Sequence, residues 1–236
     1  MHLFFDLDDT LLDDSKSKDY YLPKLYKEFH AFIERDYESF KDSWIEAIGK
    51  FYRLYLAGKL GFAEQRAERI REAFNNSWIS QSVLSSVDAA FLRYFQESWR
   101  LFDGWLEYLG KSQIRKSIIT NGNGAQQRLK LGVLGISQFF PSVFVSEEVG
   151  FSKPNRGIFD IALSAVNERP DQCIMIGDSW EYDIVGGIGA GLRSFWINHR
   201  QEIVPVEPPN FETFTSIEAV IERLWEIEES GNFTQG

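Results

Sequence analysis

The sequence predicts an α/β fold in which a parallel sheet core carries an inserted block of helices, and three observations support this prediction. The chain opens with a short apolar run, Leu3–Phe5, of the kind found in strands that are buried on both faces. After about Leu101, short apolar runs alternate with helical patterns, as they do around parallel sheets. Between these two regions, residues 15–100 show helical periodicity with no strand pattern between the helices.

The inserted block contains four amphipathic stripes, in which apolar residues recur three and four positions apart. This spacing lines up one face of a helix, and aromatic residues on such a face are usually core residues. We therefore predict four consecutive helices that form a small bundle. The stripes are Leu22, Leu25, Tyr26, Phe29, Phe32 and Ile33; Trp44, Ile48, Phe51, Tyr52 and Tyr55; Ala63, Ala67, Ile70 and Phe74; and Leu84, Val87, Phe91, Tyr94 and Phe95.

The second half of the chain is predicted to alternate between helices and strands. Thr215 and Glu218 have the spacing of a capping box, which marks the start of the last helix, and residues 231–236 are expected to fray. In chain order, the predicted elements are helix Trp105–Leu109, strand Ile114–Thr120, helix Ala125–Leu131, strand Val143–Val145, helix Arg156–Val166, strand Cys173–Ile176, helix Tyr182–Ala190, strand Ser194–Ile197 and helix Ile217–Glu228.

The domain limits follow from the position of the first strand. That strand belongs to the same sheet as the strands after Gly104, so the helical block interrupts the core domain. We predict a core domain of residues 1–14 and 101–236, and a helical domain of residues 15–100. The chain crosses between them twice, and a double crossing of this kind is a natural hinge.

Composition excludes several classes of function. The formal net charge of −10 argues against nucleic-acid polymers and anionic lipid as main partners, since both select clustered Lys and Arg. The single cysteine, Cys173, excludes an intrachain disulfide and a cysteine-based zinc cluster. No signal peptide fits the amino terminus, and no apolar run is long enough to span a membrane. We expect a cytoplasmic protein without a membrane partner, either a monomer or a dimer.

Polar side chains follow four of the predicted strands. Each signal alone is weak, because aspartate, asparagine and glycine are common in turns. In a parallel sheet, however, the carboxyl ends of the strands lie along one edge, so these residues should converge. Carboxylates grouped in this way repel one another unless a cation or a shared proton offsets the repulsion. The candidate site residues are Asp6, Asp8, Thr120, Asn121, Gly122, Lys153, Asp178 and Asp183.

This arrangement resembles the haloacid dehalogenase superfamily, and more narrowly its phosphatases. The resemblance implies a Rossmann-like parallel sheet core with an inserted helical-bundle cap, which would set specificity by closing over the site. It rests on four features: Asp-x-Asp-x-Thr from Asp6 to Thr10, the strand-terminal Thr120, Lys153, and Gly-Asp-x-x-x-x-Asp from Gly177 to Asp183.

The resemblance also implies roles for the residues that handle phosphate. Asp6 would be the nucleophile, attacking phosphorus to give an aspartyl-phosphate. Asp8 would be the general acid that protonates the leaving alkoxide, and later the base that activates water. Thr120 would donate its hydroxyl to the phosphoryl group, helped by the amides near Asn121 and Gly122.

Mg²⁺ is the implied cofactor. It would be held by the Asp6 carboxylate, the backbone carbonyl of Asp8 and the Asp178 carboxylate. Asp183 would orient these ligands from outside the coordination sphere. Lys153 would bring positive charge to the nucleophile and the phosphate, a task suited to a point charge.

The expected activity is therefore Mg²⁺-dependent hydrolysis of a small phosphomonoester. The segment from Ser146 to Asn155 looks most like phosphatases of the pyrimidine 5′-nucleotidase and acylneuraminate-9-phosphatase kind, so the expected substrate is a nucleoside 5′-monophosphate or a sugar phosphate. A phosphomutase of the same fold, a 2-haloacid dehalogenase and a catalytically idle binding protein are the alternatives. Dehalogenases resemble this chain less at Asp8, and an idle protein would have no use for the full set of motifs.

Overall fold

A computed structural model gives the structure of the protein over residues 1–203 and 208–230. The chain divides into two compact units, one of Met1–Asp13 with Arg100–Gly236 and one of Asp14–Trp99. We call them the sheet unit and the helical unit. The predicted fraying of residues 231–236 lies outside the described residues.

Among the described residues, the sheet unit is built on six parallel strands, and the predicted α/β fold class is confirmed. Their order across the sheet is β3-β2-β1-β4-β5-β6. All five predicted strands are present, and β6 is an edge strand that the sequence pattern missed. It is short, has β5 as its one neighbour within the described part of the chain and has no fully buried residue, so its apolar signal is weak. The strands are β1 His2–Phe5, β2 Arg115–Thr120, β3 Ser142–Val145, β4 Cys173–Gly177, β5 Arg193–Ile197 and β6 Phe211–Phe214.

Strand β1 occupies the middle of this sheet. Leu3, Phe4 and Phe5 are fully buried, because β1 has a parallel neighbour on each side. Phe5 lies opposite Ile118 of β2 and Ile176 of β4. The chain therefore leaves β1 between the carboxyl ends of these two strands, at the position where open α/β sheets bind their ligands.

The helical unit contains four α-helices. Side-chain caps begin two of them: Asp36 accepts a hydrogen bond from Ser39 N at 2.8 Å, and Ser80 accepts one from Val83 N at 3.4 Å. The largest fully buried side chains of this unit include Trp44, which lies 5.7 Å from Phe40 between ring centroids. The helices are α1 Ser17–Phe29, α2 Tyr37–Leu56, α3 Phe62–Phe74 and α4 Gln81–Ser98.

Two parts of the predicted stripes are wrong. Phe32 lies in a short 3₁₀ turn and is 40% exposed, and Ala63 at the start of α3 is also exposed. The inward face of α3 instead includes Gln65 and Arg69. A hydropathy pattern does not register such residues, because an arginine can bury its stem and stack its planar group on aromatic rings.

The remaining helices pack in the sheet unit. The predicted helix Tyr182–Ala190 is a π-helical segment, Trp180–Val185, followed by a short α-helix. The predicted capping box is wrong, because Ser216 rather than Thr215 caps the last helix by accepting a hydrogen bond from Ala219 N at 3.3 Å. Within the described ranges, no helix has the length and apolarity needed to cross a bilayer. The helices are α5 Trp105–Lys111, α6 Gly124–Val133, α7 Ser146–Val149, α8 Arg156–Val166, α9 Gly186–Gly189 and α10 Ile217–Ser230.

Candidate active site

Asp6 lies at the carboxyl end of β1, in the middle of the sheet edge. Its backbone N–H donates to Ile176 O of β4 at 2.9 Å, which extends the sheet pairing by one residue. Its side chain is buried, as residue exposure is 7%. Asp178 begins the loop after β4, so the two carboxylates come from neighbouring strands.

A buried lysine joins three parts of this edge. Lys153 Nζ lies 2.6 Å from Asp6 Oδ1 and 2.5 Å from Asp183 Oδ1, and it also donates to Ile119 O of β2 at 2.9 Å. Burial by itself would lower the pKa of Lys153, but the attraction of Asp183 and Asp6 outweighs it and the pKa is raised. Lys153 is therefore charged and held against the predicted nucleophile.

The loop that carries Lys153 is fastened by Asn121. The Asn121 Oδ1 accepts from Lys153 N at 2.8 Å, and Asn121 Nδ2 donates to Lys153 O at 3.0 Å. This pair of bonds ties the end of β2 to the lysine loop. The side chain of Asn121 thus positions Lys153, in addition to the predicted contribution of its backbone to phosphate binding.

The neighbours of Asn121 are also engaged. Thr120 Oγ1 accepts a hydrogen bond from Gln127 Nε2 at 2.8 Å and donates to Asn121 O at 3.3 Å. Gly122 N donates to Ser146 Oγ at 2.9 Å. That bond occupies the Gly122 amide predicted to help bind phosphate, so such a role requires the serine to be replaced as acceptor. The phosphate-binding roles of Thr120 and Gly122 stay predictions.

Asp183 is fixed from two sides. Its Oδ1 accepts from Lys153, and its Oδ2 accepts from Ser179 N at 3.0 Å. It also lies against Gly177, where an added Cβ would be only 2.3 Å from the Asp183 carboxyl carbon. The glycine that ends β4 therefore makes room for this aspartate.

Asp8 contacts two side chains that the sequence analysis did not select. Lys130 Nζ lies 2.6 Å from Asp8 Oδ1, and Gln127 Nε2 lies 2.9 Å from Asp8 Oδ2. Both residues belong to α6, three positions apart, and both are buried. Their spacing was the only sequence signal, and it does not single them out, because Gln126 and Lys130 of the same helix are also about one turn apart.

Proteins of known family resemble this chain over most of its length. The haloacid dehalogenase-like hydrolase family matches residues 1–191. The chain belongs to this family. The resemblance drawn from the motifs is thereby confirmed. The motif residues lie at the carboxyl edge of the parallel sheet.

Individual relatives agree with the family assignment. The chain is similar to pyrimidine 5′-nucleotidase YjjG of Escherichia coli (strain K12), at 30% identity over 87% of this chain and 90% of that protein. It is 35% identical to N-acylneuraminate-9-phosphatase of Homo sapiens over 41% of this chain and 39% of that protein. The crystal structure of HAD-hydrolase YfnB from Bacillus subtilis, bound to magnesium, superposes with a TM-score of 0.79 at 26% identity, covering 94% and 97% of the two chains.

The carboxylates of this haloacid dehalogenase-like hydrolase have a donor set suited to a divalent cation. Oxygen atoms of Asp6, Asp178 and Asp183 all lie within 4.8 Å of one another. Burial raises the pKa of Asp6 to about 7, and Asp183 and Asp8 push in the same direction while Lys153 opposes them. Burial also raises the pKa of Asp178, with Asp183 as the next largest cause. The charge of Lys153 therefore does not fully offset the repulsion among these carboxylates. A hard cation, which prefers oxygen ligands, would relieve it.

Proposed function

We propose that the protein is a Mg²⁺-dependent phosphatase that hydrolyses a small phosphomonoester through an aspartyl-phosphate on Asp6. The proposal goes beyond the family assignment in naming the reaction, the ion and the residues. It is supported above all by one observation: two carboxylates two residues apart, Asp6 and Asp8, have different surroundings at the same sheet edge. Asp6 is buried against Lys153, whereas Asp8 is half-buried between two side chains of α6.

These surroundings suit two different tasks. A nucleophilic carboxylate must approach phosphorus in line while the negative charge of the ester is neutralised, and Lys153 beside Asp6 supplies part of that neutralisation. A general acid must exchange a proton with the departing group and then with water. The partial exposure of Asp8 suits this second task.

The proposed reaction has two steps, formation of the aspartyl-phosphate and its hydrolysis. An Asp6 oxygen bonds to phosphorus, the ester P–O bond breaks, and Asp8 passes its proton to the leaving oxygen, which departs as an alcohol. Water then attacks phosphorus while Asp8 takes up its proton. The acyl phosphate P–O bond breaks, phosphate leaves and the Asp6 carboxylate is restored.

Asp6 and Asp178 would hold Mg²⁺, together with the Asp8 backbone carbonyl, and the ion would supply positive charge to the phosphoryl oxygens. Asp183 would keep Lys153 and the chain after β4 in place through its bonds to Lys153 and to Ser179 N. Both side-chain oxygens of Asp183 already accept hydrogen bonds, so we assign Asp183 to positioning rather than to holding the ion.

The proposed substrate is a nucleoside 5′-monophosphate or a sugar phosphate. Support comes from the names of similar proteins, which include pyrimidine 5′-nucleotidase YjjG and N-acylneuraminate-9-phosphatase.

A panel assay tests the proposal. Purified protein with Mg²⁺ is incubated with pyrimidine and purine 5′-monophosphates, sugar phosphates and short acid phosphates, and released phosphate is measured with and without excess chelator. We expect hydrolysis of a subset of these esters and its loss on chelation, restored by added Mg²⁺. Activity that survives chelation would contradict the metal site. A product phosphorylated at a new position, without phosphate release, would favour a mutase.

A further inference from the structure

Helix α6 directs two polar side chains into the sheet unit. Gln127 and Lys130 are 1% and 3% exposed, although both belong to a helix whose outer face is open to solvent. Burying a lysine ammonium is costly unless an anion or other acceptors receive its protons. The burial of Lys130 therefore calls for an explanation in its surroundings.

One partner of Lys130 is the Asp8 carboxylate. Lys130 Nζ lies 2.6 Å from Asp8 Oδ1, and the two residues are separated by 122 positions in the chain. The lysine side chain is 4% exposed and the aspartate side chain 37%. A surface ion pair would have both partners exposed. Here the cation lies behind the carboxylate, whose other side remains accessible.

Gln127 completes this arrangement. Its Nε2 lies 2.9 Å from Asp8 Oδ2 and 2.8 Å from Thr120 Oγ1. A side-chain amide nitrogen carries two hydrogens, so Gln127 can donate to both acceptors at once. The two α6 residues thereby engage both oxygens of Asp8 and link that carboxyl group to the end of β2.

We infer that Lys130 and Gln127 are positioning residues for proton transfer: they hold the Asp8 carboxyl group in the orientation from which it exchanges a proton with the leaving-group oxygen. The inference rests on the proposed phosphatase function. During transfer of the phosphoryl group to Asp6, the ester P–O bond breaks and the Asp8 proton moves to the ester oxygen. Neither α6 residue gains or loses a proton in this step.

A purely structural ion pair makes a different kinetic prediction. Loss of fold stability or of phosphate binding would slow the reaction of every ester by a similar factor. Loss of a positioned acid slows esters according to their leaving group, because an alkoxide needs a proton to depart and a nitrophenolate does not. The dependence on the leaving group therefore separates the two explanations.

The test compares Lys130→Met with wild type on p-nitrophenyl phosphate and on the best alkyl phosphate from the substrate panel. The value of kcat/KM reports steps up to phosphoryl transfer to Asp6. We expect kcat/KM for the alkyl ester to fall roughly 10- to 100-fold and that for the aryl ester to fall less than about 3-fold. Lys111→Met, at an exposed lysine of α5 paired with Glu107, serves as the control and should leave both values unchanged.

Two further variants keep the outcome decisive. Gln127→Leu should reproduce the same split if Lys130→Met folds poorly, and in an Asp8→Asn background Lys130→Met should cause no further loss. Equal losses on both esters, or losses that multiply with that of Asp8→Asn, would overturn the inference while leaving the phosphatase proposal intact. Failure of wild type to hydrolyse either ester would overturn the proposed function and the inference together.

Discussion

The sheet unit and the helical unit both bury charged side chains, but they surround them differently. In the sheet unit, the Lys153 ammonium lies between the carboxylates of Asp6 and Asp183. In the helical unit, the Arg69 guanidinium lies 4.9 Å from the Trp44 ring centroid and 4.4 Å from that of Phe91. Its Nε and Nη2 atoms have no hydrogen-bond partner among the described residues.

The buried charge of the sheet unit fits the proposed reaction, whereas the buried charge of the helical unit lies within a packed aromatic core. A buried ion pair is often no more stabilising than apolar residues of the same shape, so its presence is weak evidence for a role in stability. Under the proposed function, the pairs around Lys153 supply positive charge that phosphoryl transfer needs at that edge. Arg69 instead contributes a flat surface to an aromatic core, and burial lowers its pKa to about 10.

The largest expected effect concerns activity. Asp6→Asn should reduce phosphate release by about 10⁴-fold or more, because it removes the nucleophile and one carboxylate from the proposed metal site. The fold should persist, since the amide has the same shape and adds no buried charge. Asp42→Asn makes the same charge change at an exposed site of α2 and should be silent. Circular dichroism and phosphate release measured on both variants check this, and substantial turnover by Asp6→Asn would refute the assigned role.

The contrast between the two buried cations can be measured directly as stability. Lys153→Met should lower the free energy of unfolding by about 3–5 kcal/mol, because Asp6 and Asp183 lose their buried partner. Arg69→Met should change it by less than about 1 kcal/mol, because lost ring stacking is offset by removal of an unpaired buried charge. Urea denaturation of each variant provides the measurement.

Equal losses of stability in these two variants would contradict the different roles of the two buried cations. They would show that Arg69 has an anionic partner or supports its core as strongly as Lys153 supports the sheet edge. Activity gives a second distinction, since only Lys153→Met removes a group that contacts the proposed nucleophile.

Two glycines, one in each unit, differ in the space that an added Cβ would have. Gly177→Ala in β4 should destabilise the protein by about 1–3 kcal/mol and lower activity, because the new methyl would lie 2.3 Å from the carboxyl carbon of Asp183. Gly49→Ala in α2 meets only the flexible end of Arg53, at 3.3 Å, and should stabilise the helix by about 0.5–1 kcal/mol. Thermal melts and phosphate release test both variants. An active, fully stable Gly177→Ala variant would contradict the close packing of Asp183 against Gly177.

The smallest expected effect is a shift in thermal stability with pH and Mg²⁺. Because the pKa of Asp6 is raised to about 7 and that of Asp178 is also raised, the metal-free folded protein binds more protons than the unfolded chain between about pH 4 and 7. Its stability should therefore fall as pH rises through this window. Mg²⁺ binds the ionised carboxylates, so it should raise the Tm more at pH 8 than at pH 5, by about 2–4 °C for each kcal/mol gained.

Melting curves with Mg²⁺ or with chelator at the two pH values provide the measurement. Asp178→Asn is the control: it removes one of the repelling carboxylates, so its metal-free form should melt higher at pH 8 than metal-free wild type and respond less to Mg²⁺. An equal response of wild type to Mg²⁺ at both pH values would contradict the raised carboxylate pKa values as the cause.

Much of the sheet unit could be predicted from local sequence patterns. The buried run Leu3–Phe5 and the four later strands all lie where apolar runs indicated, and Asp6, Lys153 and Asp183 meet at the edge that a parallel sheet requires. The edge strand Phe211–Phe214 was missed because none of its residues is fully buried, and the predicted capping box failed because the capping side chain is Ser216, one residue after Thr215.

Hydrophobic periodicity is local, so the order of strands and helices and the family motifs at the strand ends could be predicted from the chain alone. The pairing of Lys130 with Asp8, the hydrogen bond from Gly122 to Ser146 and the position of Arg69 among aromatic rings became apparent only in the folded protein. Local sequence does not identify the partner of a polar residue. Whether it is solvated or buried depends on packing between segments far apart in the chain, where desolvation and pairing are decided together.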